Sequence, residues 1–235
     1  MLTPSSNTAL EPLSSAMLAG LPEVSAHFGR FRVTEISLKP QALDQSDMAP
    51  IVQAACLLAD AHVDVIAWHG SSAGWLGLDA DVALCQRIEQ ETGVLCCTSV
   101  LALNEIMEKT QRKRFGLITP YLDEVQAAIV ANCARSGFEC VAERHLNRSL
   151  NFSFSEVQPQ QILQMAHDVA EASPQCLTTF CTNLRAAQLA PALEAELGIP
   201  LYDTVATAVW KSLRLCGVDT QRVKGWGSLF NQELA

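Results

Sequence analysis

Val63-Asp64-Val65-Ile66-Ala67-Trp68-His69-Gly70-Ser71-Ser72-Ala73-Gly74 is a β-branched, apolar run that stops abruptly in glycine and serine. A strand that breaks into small residues and continues into a helix is the βα turn of a parallel sheet. Further strand-like runs cover residues 94–98, 115–119, 176–180 and 199–202. Helix-like segments cover 49–61, 80–92, 99–109, 122–136, 159–172, 184–197 and 204–215. Strands alternating with helices of this length predict βαβ units, hence an α/β protein whose parallel sheets are flanked by helices.

The two halves of the chain superimpose as sequence. Glu91-Thr92-Gly93-Val94-Leu95 leads into a helix through Thr98-Ser99, and Glu196-Leu197-Gly198-Ile199-Pro200 does so through Asp203-Thr204, an offset of 105 residues. Thr3-Pro4 and Thr119-Pro120, each ahead of a helix, lie 116 apart, and the strand ends at Gly70 and Cys181 lie 111 apart. Three landmarks at nearly constant spacing predict two pseudo-symmetric lobes, residues 1–109 and 110–235, with the C-terminal tail packing back on the first. Ligands of open α/β sheets bind beyond the strand C-termini, so the expected active site is the cleft between the lobes. Four loops converge there: 4–8, 69–74, 120–121 and 181–183.

With 16 Lys+Arg against 25 Asp+Glu, the net charge of -9 excludes a phosphate-backbone footprint, so no nucleic-acid partner is expected. Apolar runs are strand-sized, which predicts no membrane span. Nine cysteines is an odd count with no Cys-x-x-Cys or zinc-ligand spacing, which predicts reduced thiols, a cytoplasmic protein, and no metal or cofactor.

Most of these thiols read as small core residues. Cys181 differs because Thr179-Phe180-Cys181-Thr182-Asn183-Leu184 sets it at a strand end before a helix, where amides and dipole lower a thiol pKa. Ser71 and Ser72 read as hydroxyl donors to a carboxylate or an enediolate, within a glycine-rich turn where backbone N–H groups near Gly70 also approach a ligand. Tyr121, one of two tyrosines, is a phenolic donor at the matching loop. Pro4-Ser5-Ser6-Asn7-Thr8 suits a helix cap as well as a carboxylate site through Asn7. Thr182 and Asn183 are polar neighbours of the thiol, and Asn151 sits in a polar, aromatic stretch, 147–155, that reads as a flap over the cleft. His69, beside Trp68, reads as a packed structural histidine.

At these residues the sequence resembles the aspartate/glutamate racemase superfamily, in the branch of maleate cis-trans isomerases and arylmalonate decarboxylases, over nearly the whole chain. Cys-Thr-Asn-Leu at 181–184 is similar to the racemase Cys-Thr-x-Leu pattern, and Pro-Ser-Ser-Asn-Thr to the opening loop of the isomerases. The resemblance implies two lobes that each offer a thiol to a substrate α-carbon. Gly70 stands where the first thiol belongs, as in the decarboxylases, whose two following hydroxyl residues and a tyrosine matching Tyr121 hold the retained carboxylate. Gly225-Trp226-Gly227-Ser228-Leu229-Phe230 is similar to the end of the decarboxylases. Members usually begin with a full strand, of which only residues 1–3 remain here, and dimerisation is typical of them. The expected activity is cofactor-free decarboxylation of a malonate-type diacid, with Cys181 protonating the enediolate from one face. The alternatives are isomerisation of maleate or a related small acid, and a non-catalytic dicarboxylate-binding protein. A cysteine placed at Gly70 is expected to restore two-sided, racemising chemistry.

Overall fold

The computed structural model describes residues 1–39 and 48–232. The described strands form two four-stranded sheets. The first holds β1 (Leu2–Pro4), β2 (Gly29–Phe31), β3 (Val65–Trp68) and β4 (Leu95–Thr98) in the order β2-β1-β3-β4. The second holds β5 (Arg114–Thr119), β6 (Glu139–His145), β7 (Cys176–Thr179) and β8 (Leu201–Asp203) in the order β6-β5-β7-β8. Every pairing in both sheets is parallel. Identical strand order in the two sheets makes each strand of one half the counterpart of a strand in the other, as the sequence repeat predicts.

The repeat extends to side chains. α4 (Leu78–Thr92) and α9 (Ala190–Leu197) both end on a left-handed glycine, Gly93 at φ 71° and Gly198 at φ 67°, a conformation that glycine adopts without strain. One turn earlier, Glu89 Oε1 accepts from the Cys96 amide and Glu194 Oε1 from the Leu201 amide, each at 2.9 Å, pinning β4 and β8 to the preceding helix. Thr98 then caps α5 (Ser99–Lys109) by accepting from Leu101 N, and Asp203 caps α10 (Thr204–Leu215) by accepting from Val205 N and Ala206 N.

Three expectations change. β2 and β6 are edge strands absent from the sequence reading, since β2 is three residues long and β6 is half-buried and charged. The helix expected over 184–197 begins only at Ala190, because residues 181–186 are spent on turns and Pro191 sits in its first turn. β1 spans three residues, pairing with β2 along its length and with β3 at Leu2–Trp68.

One hydrophobic core runs through both lobes, from Leu13 and Met17 of α1 (Leu10–Leu18) through Val100 and Ile106 to Tyr121, Ile129, Phe180 and Trp210. α10 follows the last strand of the second sheet yet packs on α5, β3 and β4 of the first lobe. The tail residues Leu229 and Phe230 join the same core. No helix among the described residues is long and apolar enough to cross a membrane.

One buried carboxylate works against this stability. Asp81, in the first turn of α4, is 1 % exposed, and its Oδ2 has no partner. Burial pushes its pKa up to about 7 against a hydrogen bond from Thr98 that pulls it down. The folded state therefore holds a proton that the unfolded chain releases near pH 4, so Asp81 should cost stability progressively as pH rises from about 4 to 7. Replacing Asp81→Asn should flatten that slope and raise stability at pH 8 by on the order of 2 kcal/mol. Chemical denaturation at pH 4, 6 and 8 checks it, and equal pH slopes in both proteins would refute it.

Candidate active site

The inner strands of both sheets aim their C-terminal ends at one cavity. Pro4 ends β1, Gly70, Ser71 and Ser72 follow β3, Tyr121 follows β5, and Cys181 and Thr182 follow β7; all line a cavity of ≈ 50 Å³. Asn151 lines it from α7 (Asn151–Phe154), within the stretch read as a flap. Seven of the nine residues singled out in the sequence thus surround one space. A larger hollow of ≈ 590 Å³ lies elsewhere, between Met1, His27, His62 and Cys216. It holds none of the convergent hydroxyls or the strand-end thiol, so size alone does not mark the site.

Cys181 is 2 % exposed. Burial pushes its thiol up to about 12, and hydrogen bonds from Tyr121 and from the amides of Asn183 and Leu184 recover only part of that shift. The lowered pKa expected from the strand-end setting is therefore corrected: desolvation outweighs the amides, and the resting group is the neutral thiol. The nearby Asp203 carboxyl, raised by burial to about 6, also disfavours the thiolate.

Tyr121 is fixed from all sides. Its ring meets Trp75 edge-on at 5.4 Å and Phe154 at 5.5 Å, and its hydroxyl lies 2.7 Å from Ser71 Oγ. Burial holds the phenol well above its ordinary pKa, so it is a hydrogen-bond donor. Ser72 is half-buried, lines the cavity, and has no side-chain partner among the described residues.

Asn7 and Asn183 lie outside the cavity lining. Asn7 Oδ1 accepts from Ala9 N and Leu10 N at the head of α1, while its Nδ2 donates to Thr182 Oγ1 at 3.2 Å. Asn183 Oδ1 accepts from Thr8 N and Ala9 N, and its Nδ2 donates to the Asn151 carbonyl at 2.6 Å. Both amides, Asn7 read in the sequence as a carboxylate donor and Asn183 as a polar neighbour of the thiol, are committed to the protein here. They tie the opening loop and the flap to the Cys181 loop. Thr182 Oγ1 completes the tie by donating to the His69 carbonyl at 3.0 Å. The imidazole of His69 is fully buried, lies off the cavity, and is pushed down to about 3 by desolvation, so it is neutral. Neither of its ring nitrogens has a hydrogen-bond partner among the described residues.

Gly70 is where the geometry is most informative. A Cβ built there would fall 1.8 Å from Trp68 Cζ2 and 2.2 Å from Cε2. The Trp68 indole, packed against Phe31 with centroids 5.1 Å apart and planes tilted by 49°, fills the space a side chain at residue 70 would need. A cysteine at this position would have to displace the 4 % exposed Trp68 ring, a cost that the expectation of a restored second thiol leaves out.

The rest of the wall was missed in the sequence: Phe31, Val33, Glu35, Ile36, Ser37, Ile51 and Trp75. The alternation of Phe31 and Val33 with Arg30, Arg32 and Thr34 was the available signal. This segment is joined to the flap by Ile36 N donating to Ser149 O at 2.8 Å and Asn151 N to Thr34 O at 3.0 Å, so the two close over the cavity together.

Two like-ordered parallel sheets whose inner strand ends share one cavity define the two-lobed, racemase-like α/β fold. A family model described as arylmalonate decarboxylase (Amdase) matches residues 14–230, and the chain belongs to that family. It is 24 % identical to the arylmalonate decarboxylase of Bordetella bronchiseptica over 95 % of this chain and 92 % of that one. It is 26 % identical to the maleate isomerase of Nocardia farcinica over 100 % and 96 %. A solved structure of the Nocardia farcinica maleate cis-trans isomerase, a cysteine-to-serine mutant with a covalently bound succinylcysteine intermediate, aligns with a TM-score of 0.87 at 22 % identity, covering 99 % of this chain and 97 % of that one. These family members are enzymes.

Proposed function

We propose that this chain is a cofactor-independent decarboxylase of malonate-type diacids. The observation that carries the reading is that Cys181 is the one cysteine among the described residues of the cavity wall, with glycine at 70 and the Trp68 indole in the space a side chain there would need. Two-thiol racemisation or isomerisation needs a group on each face of the substrate carbon; decarboxylation needs an acid on one face only.

One substrate carboxylate is held by Ser71, Ser72, Tyr121 and nearby backbone N–H groups. The other lies toward Phe31, Val33, Ile36 and Trp68, where water is scarce and its solvation is weak. Cleavage of the C–C bond releases CO2, and its electron pair passes into the enediolate, whose new charge grows against the hydroxyl donors. The Cys181 thiol then gives its proton to the α-carbon. The thiolate so formed is met by Tyr121 and the amides of Asn183 and Leu184, then takes a proton from solvent. A thiol raised to about 12 suits this role, being protonated at every working pH.

CO2 release from phenylmalonate and alkylmalonates by the purified protein tests the proposal. Conversion of maleate to fumarate without CO2 release would replace it with isomerisation, and thermal stabilisation by diacids with no turnover would replace it with a binding role. Within the decarboxylase reading, Tyr121→Phe should lower kcat by about 10²-fold, the typical effect of removing one donor from developing negative charge. Unchanged kcat would remove Tyr121 from the account.

A further inference from the structure

Among the described residues the cavity wall carries one charged group, and it has the wrong sign for a diacid. Glu35 lines the space together with apolar Phe31, Val33, Ile36, Ile51, Trp68 and Trp75, and the lining contains no lysine, arginine or histidine. Among the described residues no cation lies within ion-pair distance of Glu35. Its side-chain hydrogen bond is a long one, from Ser37 Oγ to Oε1 at 3.4 Å, and Oε2 has no partner among the described residues. The backbone is nevertheless fixed: Glu35 bridges Leu150 of the flap and is flanked by the two bonds that join the segments. A carboxylate held in place at the edge of an otherwise apolar wall, without a counter-charge, gives that side of the cavity a negative end that a cation complements.

We propose that Glu35 selects the substrate: the malonate-type acid this site takes carries an amine on its α-substituent, whose ammonium pairs with Glu35. The inference rests on the decarboxylase reading and deepens it. Ser71, Ser72 and Tyr121 take one carboxylate, Phe31, Val33 and Trp68 face the departing one, and the substituent runs toward Glu35, which takes its charged end. A dianion whose substituent is neutral would enter a site with a charge of its own sign and no compensation, whereas an ammonium cancels it in a poorly solvated space, where paired charges interact strongly.

The test compares two probes of similar size, (4-aminomethylphenyl)malonate and (4-ethylphenyl)malonate, in the full-length protein. The amine should be decarboxylated with a kcat/KM at least about tenfold higher. Glu35→Gln should bring the ratio of the two close to one, and Glu35→Lys should invert it. Calorimetric binding of the corresponding product acids, (4-aminomethylphenyl)acetate and (4-ethylphenyl)acetate, reads the same preference without turnover. An amine preference in binding that vanishes in Glu35→Gln, with neither malonate decarboxylated, would uphold the role of Glu35 and sink the decarboxylase reading. Equal kcat/KM and equal binding for both probes would overturn the role of Glu35 while leaving the decarboxylase reading intact. A drop in kcat for both probes alike in Glu35→Gln would also overturn it, since Glu35 would then act on the departing carboxylate rather than on the substituent.

Discussion

Replacing Cys181→Ser should lower kcat/KM for malonate decarboxylation by about 10³-fold, within the range typical of removing a general acid, while leaving the fold intact. A serine hydroxyl occupies nearly the same buried volume and can keep the contact with Tyr121 and the amides of Asn183 and Leu184, so the thermal midpoint should move little. What it loses is acidity, since a hydroxyl transfers a proton to carbon far less readily than a thiol. The pH profile sharpens the expectation. The acid form is the working form, and with burial pushing the thiol up to about 12 it persists throughout the neutral and mildly alkaline range. Activity should therefore show no fall that tracks thiol ionisation between pH 6 and 9. A rate that climbs with pH in step with thiolate formation would instead mark Cys181 as a nucleophile, the behaviour expected of an isomerase that forms a covalent adduct.

The second large effect concerns the opposite face. Gly70→Cys alone should yield a destabilised protein, by about 1–3 kcal/mol for forcing atoms into a filled space, and no racemising activity. The Trp68 ring, not the lack of sulfur alone, closes that face: a Cβ at residue 70 meets three of its ring atoms at 1.8 to 2.3 Å. Pairing Gly70→Cys with Trp68→Leu removes the obstruction while keeping an apolar side chain against Phe31. That double variant should exchange and racemise the α-proton of a product-like acid at least about tenfold faster than either single variant, because base and acid then face the carbon from both sides. Proton exchange in deuterated water, followed with chiral analysis, reads it directly. Racemisation by Gly70→Cys alone would show that the indole moves aside freely, and would remove the observation on which the one-sided mechanism stands.

The two-lobed fold was legible because its signals are local: β-branched runs ending in glycine or serine, and a repeat near 110 residues. The glycines at 93 and 198 and the glutamates at 89 and 194 make the repeat visible even in single hydrogen bonds. Edge strands were not legible. β2 is three residues long and β6 carries Glu139, Glu143, Arg144 and His145 and has no buried residue, so neither has the apolar run of an inner strand. Of the site, strand-end residues such as Ser71, Tyr121 and Cys181 could be placed because strand order brings them together. Asn7 and Asn183 show the limit of that inference. Position puts them near the cleft, but their amides satisfy backbone groups, and only coordinates reveal where a donor is spent. Trp68 is the sharper case. Its sequence marks a strand end, whereas its effect on chemistry depends on a ring orientation set by Phe31, a residue on a strand the sequence did not disclose.

One-sided protonation of an enediolate by Cys181 is tested most directly by decarboxylating an α-methyl-substituted phenylmalonate in deuterated water and determining both label and chirality of the product. The account predicts CO2 release with one deuterium at the α-carbon of a single enantiomer, slowed about 10³-fold in Cys181→Ser. Racemic labelled product from the unaltered protein, or labelled product formed at an unchanged rate in Cys181→Ser, would contradict it.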